Sequence, residues 1–171
     1  HRGPDSTDTR FWSQTAFGFV RLAIQDLTDA GRQPMHHSSQ PITTIFNGEI
    51  YNFKKLRAEL ASEGVAFKTR TDTEVILAAY ASWGWDKMLR NLEGMFALAI
   101  YDETKESIFL ARDRMGQKPL FFKSDEKFGL IFASEIKSII DYINTAKIDL
   151  FSSLNPIFTT GLSPKGNTCF N

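Results

Sequence analysis

The chain has 171 residues, enough for one domain with a sizeable core, and its 20 Lys+Arg against 20 Asp+Glu leave no net charge at pH 7. With 42% hydrophobic and 13% aromatic residues the composition is that of a globule, not a disordered chain, and the charge balance argues against nucleic acid or an anionic membrane as partner. A single cysteine, Cys169, excludes an internal disulfide framework and a cysteine-rich zinc site, while His1, His36 and His37 have no metal-ligand spacing.

The opening HRGPDSTDTR is polar and charged, without a signal-peptide pattern, and no apolar run reaches the length of a membrane span, so a cytoplasmic location is expected. The apolar pattern then switches between period two and period 3.6, which mixes strands with helices. Phe17 to Ile24 (FGFVRLAI) and Ile42 to Phe46 (ITTIF) read as strands on β-branched and aromatic content. NFKKLRAELASEG reads as a helix with Phe53, Leu56 and Leu60 on one face, Asn52 as N-cap and Gly64 as stop. TDTEVILAAYASWG opens a second helix, with Thr71 and Glu74 in capping-box spacing and Ile76, Ala79, Tyr80 and Trp83 in line. A short third helix is expected near WDKMLRNL.

From Met95 four strand-like runs follow: MFALAIYD, SIFLARD, PLFFKS and GLIFAS. Their connections, ETKE, RMGQK and DEKF, are short enough for hairpins and predict an antiparallel meander. SEIKSIIDYI then reads as a capped helix packing Ile136, Ile139, Ile140 and Ile143. Strands, helices, strands and a helix do not make the strict alternation of a parallel sheet; the order predicts an α+β fold with helices covering antiparallel sheets.

Asn47-Gly48 poses the chemical question. Both residues tolerate positive φ, so the pair can simply make a turn. On its own the turn is the commoner use; the functional alternative is an oxyanion site, the Asn amide and the Gly N–H pointing together at a developing negative oxygen. Glu49 beside it can hold an ammonium or be a solvated carboxylate. Asp72, in the first turn of a predicted helix, is favoured there by the helix dipole alone. Arg21 within FVRLAI can lie on the wet face of a strand, or be buried to receive a substrate carboxylate bidentately. One cation and two anions around an Asn-Gly would complement a free α-amino acid.

HRGPD, RLAIQDL, GRQPM, FNGEIYNF, TDTEVIL, GMFALAIYD, ARDRMGQKPL and FASEIK, in that order, resemble the glutamine amidotransferase domain of glutamine-hydrolysing asparagine synthetases. The match runs from His1 to about Lys137, and GLSPKGNTCF resembles the segment leading into that family's synthetase domain. The resemblance implies an N-terminal-nucleophile fold, a four-layer sandwich with two antiparallel sheets between helices. It implies a glutaminase domain over residues 1–150 and a linker over 151–171 toward a synthetase domain. By the same analogy Arg21 binds the glutamine α-carboxylate, and backbone groups of Leu22, Ala23, Ile24 and Gln25 line the pocket. Asn47 and Gly48 become the oxyanion hole, and Glu49 with Asp72 grips the α-ammonium. L-Glutamine is the implied substrate, and a homodimer is left open.

The family's nucleophile is an N-terminal cysteine whose own α-amine serves as base, whereas this sequence starts at His1, inside the pattern. The chain alone is therefore expected to be inactive, and Cys169, near the opposite end, is not a replacement. No pyrophosphate loop appears, so no cofactor is expected in this chain and ATP with Mg is assigned to the implied synthetase domain. Gln25 stands where an apolar residue is commoner in the family. The leading expectation is a glutaminase domain that supplies ammonia for ATP-dependent amidation of aspartate. The competing ones are a glutamine-binding or structural module without a nucleophile, and an amidotransferase for another acceptor. ARDRMGQKPL and FASEIK are assigned to structure, and His36 and His37 to an ordinary loop.

Overall fold

A computed structural model describes residues 3, 5–22 and 28–143. The chain divides into two compact units, His1–Pro119 and Leu120–Asn171. The first opens with a hairpin of β1 (Ser6–Phe11) and β2 (Ala16–Arg21), antiparallel, with Ser6 opposite Arg21. A 3₁₀ turn at Asp29–Gly31 precedes β3 (Met35–His36), β4 (Ile42–Ile50), α1 (Phe53–Ser62), α2 (Asp72–Asn91), β5 (Gly94–Asp102) and β6 (Ser107–Arg112). Strands β3, β4, β5 and β6 form one antiparallel sheet in that order.

Pleating sorts the side chains of this sheet. Ile42, Phe46 and Ile50 of β4 and Phe96, Leu98 and Ile100 of β5 share one face and join Leu56, Leu60, Val75, Ile76 and Ala79 of the helices in the core. Tyr101 belongs to the other face. There the hairpin docks: Trp12 and Phe17 meet Tyr101 edge-on, with ring centroids 4.9 and 6.4 Å apart. Helices, four-stranded sheet and hairpin thus lie in successive layers, and Asn47 and Glu49, by the two-residue alternation, share the hairpin's side with Thr43 and Tyr101.

The second unit pairs β7 (Phe121–Asp125) with β8 (Gly129–Ala133), Phe121 opposite Ala133. Helix α3 (Ile136–Ile143) packs on both strands and buries Ile139. The α+β expectation is met, helices covering antiparallel sheets. The expected boundary at residue 150 lies outside the described residues, as do Cys169 and the expected linker.

Several local expectations need correction. The strand β1 was not legible in a polar stretch, and β2 ends at Arg21. Asn52 makes no side-chain cap; its amide donates to the Asn91 carbonyl at 2.8 Å and its oxygen accepts from Glu93 N–H, tying α1 to the end of α2. The expected third helix is the second leg of α2, which kinks at Gly84 (φ 75°, ψ 175°). RMGQK is not a hairpin turn. Asp113 gathers the N–H groups of Met115, Gln117 and Lys118 from that loop together with Phe96 N–H, and β6 pairs with β5 but not with β7. His36 belongs to β3, with Nδ1 3.0 Å from Thr43 Oγ1.

Asp102 anchors the far end of β5. Its carboxylate accepts from Tyr80 Oη at 2.8 Å, Lys105 Nζ at 3.0 Å and Thr104 Oγ1 at 2.6 Å. Burial opposes the charge, but these donors prevail and hold the carboxyl down to about 2, against an ordinary 3.8. Because the folded value lies below the unfolded one, the cluster stabilises the fold above about pH 4 and loses that contribution as the pH falls toward about 2. Asp102→Asn should lower stability at pH 7 by about 1–3 kcal/mol in thermal melts, the gap to wild type closing on acidification. A gap that stays constant down to pH ~3 would contradict this assignment.

Candidate functional site

Strand β4 outruns its outer neighbour. The backbone ladder with β3 covers only Thr43 and Thr44, so the outer edge of β4 beyond Thr44 needs other partners. With Met35 opposite Thr44, Gln33 falls opposite Phe46, and its side-chain amide continues the pairing there. Gln33 Oε1 accepts Phe46 N–H at 2.6 Å and Gln33 Nε2 donates to the Phe46 carbonyl at 3.0 Å. Four residues on, Ile50 N–H donates to Asp72 Oδ2 at 3.0 Å. Asn47, Gly48 and Glu49 lie between these two supports.

The Asn-Gly pair is therefore mid-strand, and the turn alternative is excluded. Asn47 faces Ala97 and Gly48 faces Phe96 across the ladder. A Cβ at Gly48 would overlap the Met95 carbonyl oxygen and sit 2.7 Å from Phe96 Cα, so glycine is dictated by the approach of β5. The same approach needs Gly94 opposite Ile50, where a Cβ would overlap the Glu49 carbonyl.

Arg21, at the end of β2, is buried at 8% exposure, which excludes the wet-face alternative. Its Nη1 donates to the Thr28 carbonyl at 2.9 Å. Its guanidinium lies against Gly31, where any Cβ would overlap Nη2 and also approach Thr71 Cγ2 at 3.2 Å. Gly31 thus brings Arg21 next to Thr71, the N-cap of α2, and so close to Asp72.

Asp72 opens α2 and is 5% exposed. Burial pushes its carboxyl above the ordinary aspartate range; the backbone N–H groups of Ile50 and Thr73 pull it back, and the nearby Glu49 charge adds to the rise. Glu49 itself is exposed. A buried carboxylate with a second acid beside it suits a cation between them. The helix start is firmly held: Thr71 Oγ1 accepts Glu74 N–H at 3.2 Å, and the Glu74 carboxylate takes Lys68 N–H and Thr69 N–H, each at 2.7 Å. This is half of a capping box, its second arm reaching back to the loop.

The structure brings Arg21, Asn47, Gly48, Glu49 and Asp72 into one neighbourhood. Leu22 follows Arg21 with its side chain 62% exposed, and Ala23, Ile24 and Gln25 lie outside the described residues. Gln33, Gly31 and Thr73 were missed by sequence reasoning. Their signal is slight, a polar loop of GRQPM and a threonine in a helix's first turn, and their contacts span 10 to 40 residues. Among the described residues no cluster of His, Cys, Asp and Glu has the arrangement of a metal site, and no helix is long and apolar enough to cross a membrane.

The model of the glutamine amidotransferase domain family matches residues 1–171, and the chain belongs to that family. It is 42% identical over 168 residues to asparagine synthetase [glutamine-hydrolyzing] 3 of Bacillus subtilis (strain 168), covering 95% of this chain and 26% of that protein. It is 39% identical over 147 residues to asparagine synthetase B [glutamine-hydrolyzing] of Escherichia coli (strain K12), covering 86% of this chain and 26% of the relative. Among solved structures, glutamine phosphoribosylpyrophosphate amidotransferase from B. subtilis, complexed with ADP and GMP, superposes with a TM-score of 0.60 at 25% identity. That likeness covers 75% of this chain and 29% of the other, and it gives the chain the N-terminal-nucleophile amidotransferase fold. The chain spans about a quarter of the length of these curated relatives.

The raised Asp72 pKa carries a sign. The folded state holds the proton better than the unfolded state, so ionised Asp72 costs stability, and the cost vanishes below the unfolded carboxyl range near pH ~4. Asp72→Asn, which keeps an oxygen for Ile50 N–H, should melt at or above the wild-type temperature at pH 7, with the difference shrinking on acidification. A clear loss of Tm at neutral pH would show instead that the charge supports the fold.

Proposed function

We propose that this chain is the glutamine-hydrolysing part of an amidotransferase, with L-glutamine as substrate. The observation that supports this best is a buried cation, Arg21, drawn by Gly31 to the start of α2, where Asp72 and Glu49 neighbour each other beside Asn47-Gly48. Arg21 receives the α-carboxylate, and Asp72 and Glu49 take the α-ammonium. The side-chain carbonyl then points to Gly48 N–H and the Asn47 amide. Phe46 and Ile50 have their N–H groups occupied by Gln33 and Asp72, so Gly48 is the backbone donor we assign to the developing oxygen.

In the reaction a thiolate attacks the side-chain carbonyl carbon, the oxygen gains negative charge, and the C–N bond breaks as the nitrogen is protonated and leaves as ammonia. Water then cleaves the thioester to glutamate. No cysteine lies among the described residues, so the chemical step is assigned to the complete protein. The curated relatives are named asparagine synthetases, which supports asparagine as the product and so aspartate as the acceptor of that ammonia; ATP with Mg is our proposal for that step, in a synthetase domain of the complete protein.

The complete protein supplied with L-glutamine, L-aspartate, ATP and Mg should release glutamate and asparagine in equal amounts. Asn47→Ala should lower the kcat of glutamine hydrolysis by about 10²–10³ while leaving KM close to wild type. Glutamate without asparagine would move the acceptor elsewhere. Calorimetric binding of glutamine without any glutamate release would replace the hydrolase by a binding module.

A further inference from the structure

Gln33 is 7% exposed and fully engaged. Its side-chain amide has one acceptor oxygen and two N–H donors, and each has a place. Oε1 takes Phe46 N–H at 2.6 Å, while Nε2 donates to the Phe46 carbonyl at 3.0 Å and to Thr73 Oγ1 at 3.4 Å. Phe46 immediately precedes Asn47, and Thr73 immediately follows Asp72. Two residues before Gln33, Gly31 packs against the Arg21 guanidinium. One short loop therefore touches the strand that carries Asn47-Gly48, the helix start that carries Asp72, and Arg21.

We propose that Gln33 is a positioning residue of the glutamine site, its side-chain amide fixing the separation between the Asn47-Gly48 strand and the Asp72 helix start. The inference rests on the glutaminase reading. A glutamine bound by its α-ammonium at one end and its side-chain carbonyl at the other has a fixed span, so the two protein elements must hold a matching distance. The Asp72 to Ile50 N–H bond links them at one end of the site only. Gln33 supplies the second link, and its register opposite Phe46 makes it a surrogate for the strand that β3 does not extend.

The test uses the complete protein, with glutaminase kinetics, calorimetric binding of L-glutamine and thermal melts on each variant. Gln33→Glu keeps the oxygen for Phe46 N–H but loses both donors, and Thr73→Val removes the acceptor at the helix end with little change of shape. Gln33→Glu should lower kcat/KM by about 10²-fold through both a higher KM and a lower kcat, and Thr73→Val should raise KM several-fold, roughly a tenth of that loss in kcat/KM. Tyr80→Phe, which breaks a buried hydrogen bond in the Asp102 cluster, should lower Tm with kinetics unchanged at a temperature where it is folded. If the Gln33 and Thr73 variants behave like Tyr80→Phe, with lower Tm and wild-type kcat and KM, the positioning role is overturned and the glutaminase reading stands. A wild-type protein that neither binds nor hydrolyses glutamine overturns both.

Discussion

The structure around the site depends on how the outer edge of β4 is satisfied. A strand in the middle of a sheet has its N–H and C=O groups matched by neighbours on both sides. On its outer side β4 is matched along the backbone at Ile42 to Thr44, by His37 and the two residues of β3, and beyond Thr44 its edge is supported by side chains, from Gln33 at Phe46 and from Asp72 at Ile50. Leaving such groups without partners in a buried place would cost about 1–3 kcal/mol each. Satisfying them brings a loop and a helix start to the strand, and that convergence assembles the charged groups around Asn47-Gly48.

The arrangement trades stability for electrostatics. Asp72 is ionisable and buried, beside a second acid, and its proton affinity is raised accordingly. Asp102 and Asp113 are also buried, but each is surrounded by donors that hold it below the ordinary range despite burial. The contrast sets a carboxylate whose charge is left under-compensated apart from two whose charge is met by donors of the fold. Gly31 and Gly48 make a related concession, giving up side chains so that Arg21 and β5 can come close.

Periodic elements were legible in the sequence, and long-range contacts were not. The helices α1 and α2 follow from Leu56, Leu60, Ile76 and Ala79 recurring at helical spacing, and β5 to β8 from short apolar runs. The strand β1, STDTRF, carries mostly polar residues because one of its faces meets solvent, so it gave no strand signal. RMGQK has the length of a hairpin loop, yet Asp113 collects its N–H groups and binds it to Phe96 instead. Asn47-Gly48 has the composition of a turn, and only the approach of β5 shows why a glycine is needed within a strand. The residues around Asn47 were identifiable through family resemblance, whereas Gln33 acts across 13 and 40 residues of sequence, a separation no local pattern records.

The central claim is that Arg21, Glu49, Asp72, Asn47 and Gly48 together seat one glutamine molecule. A crystal structure of the complete protein with L-glutamine bound tests it most directly. The account predicts the α-carboxylate on the Arg21 guanidinium, the α-ammonium between Asp72 and Glu49, and the side-chain oxygen about 3 Å from Gly48 N–H and the Asn47 amide. Glutamine seated away from Arg21, or with its side-chain amide turned away from Gly48, would contradict it.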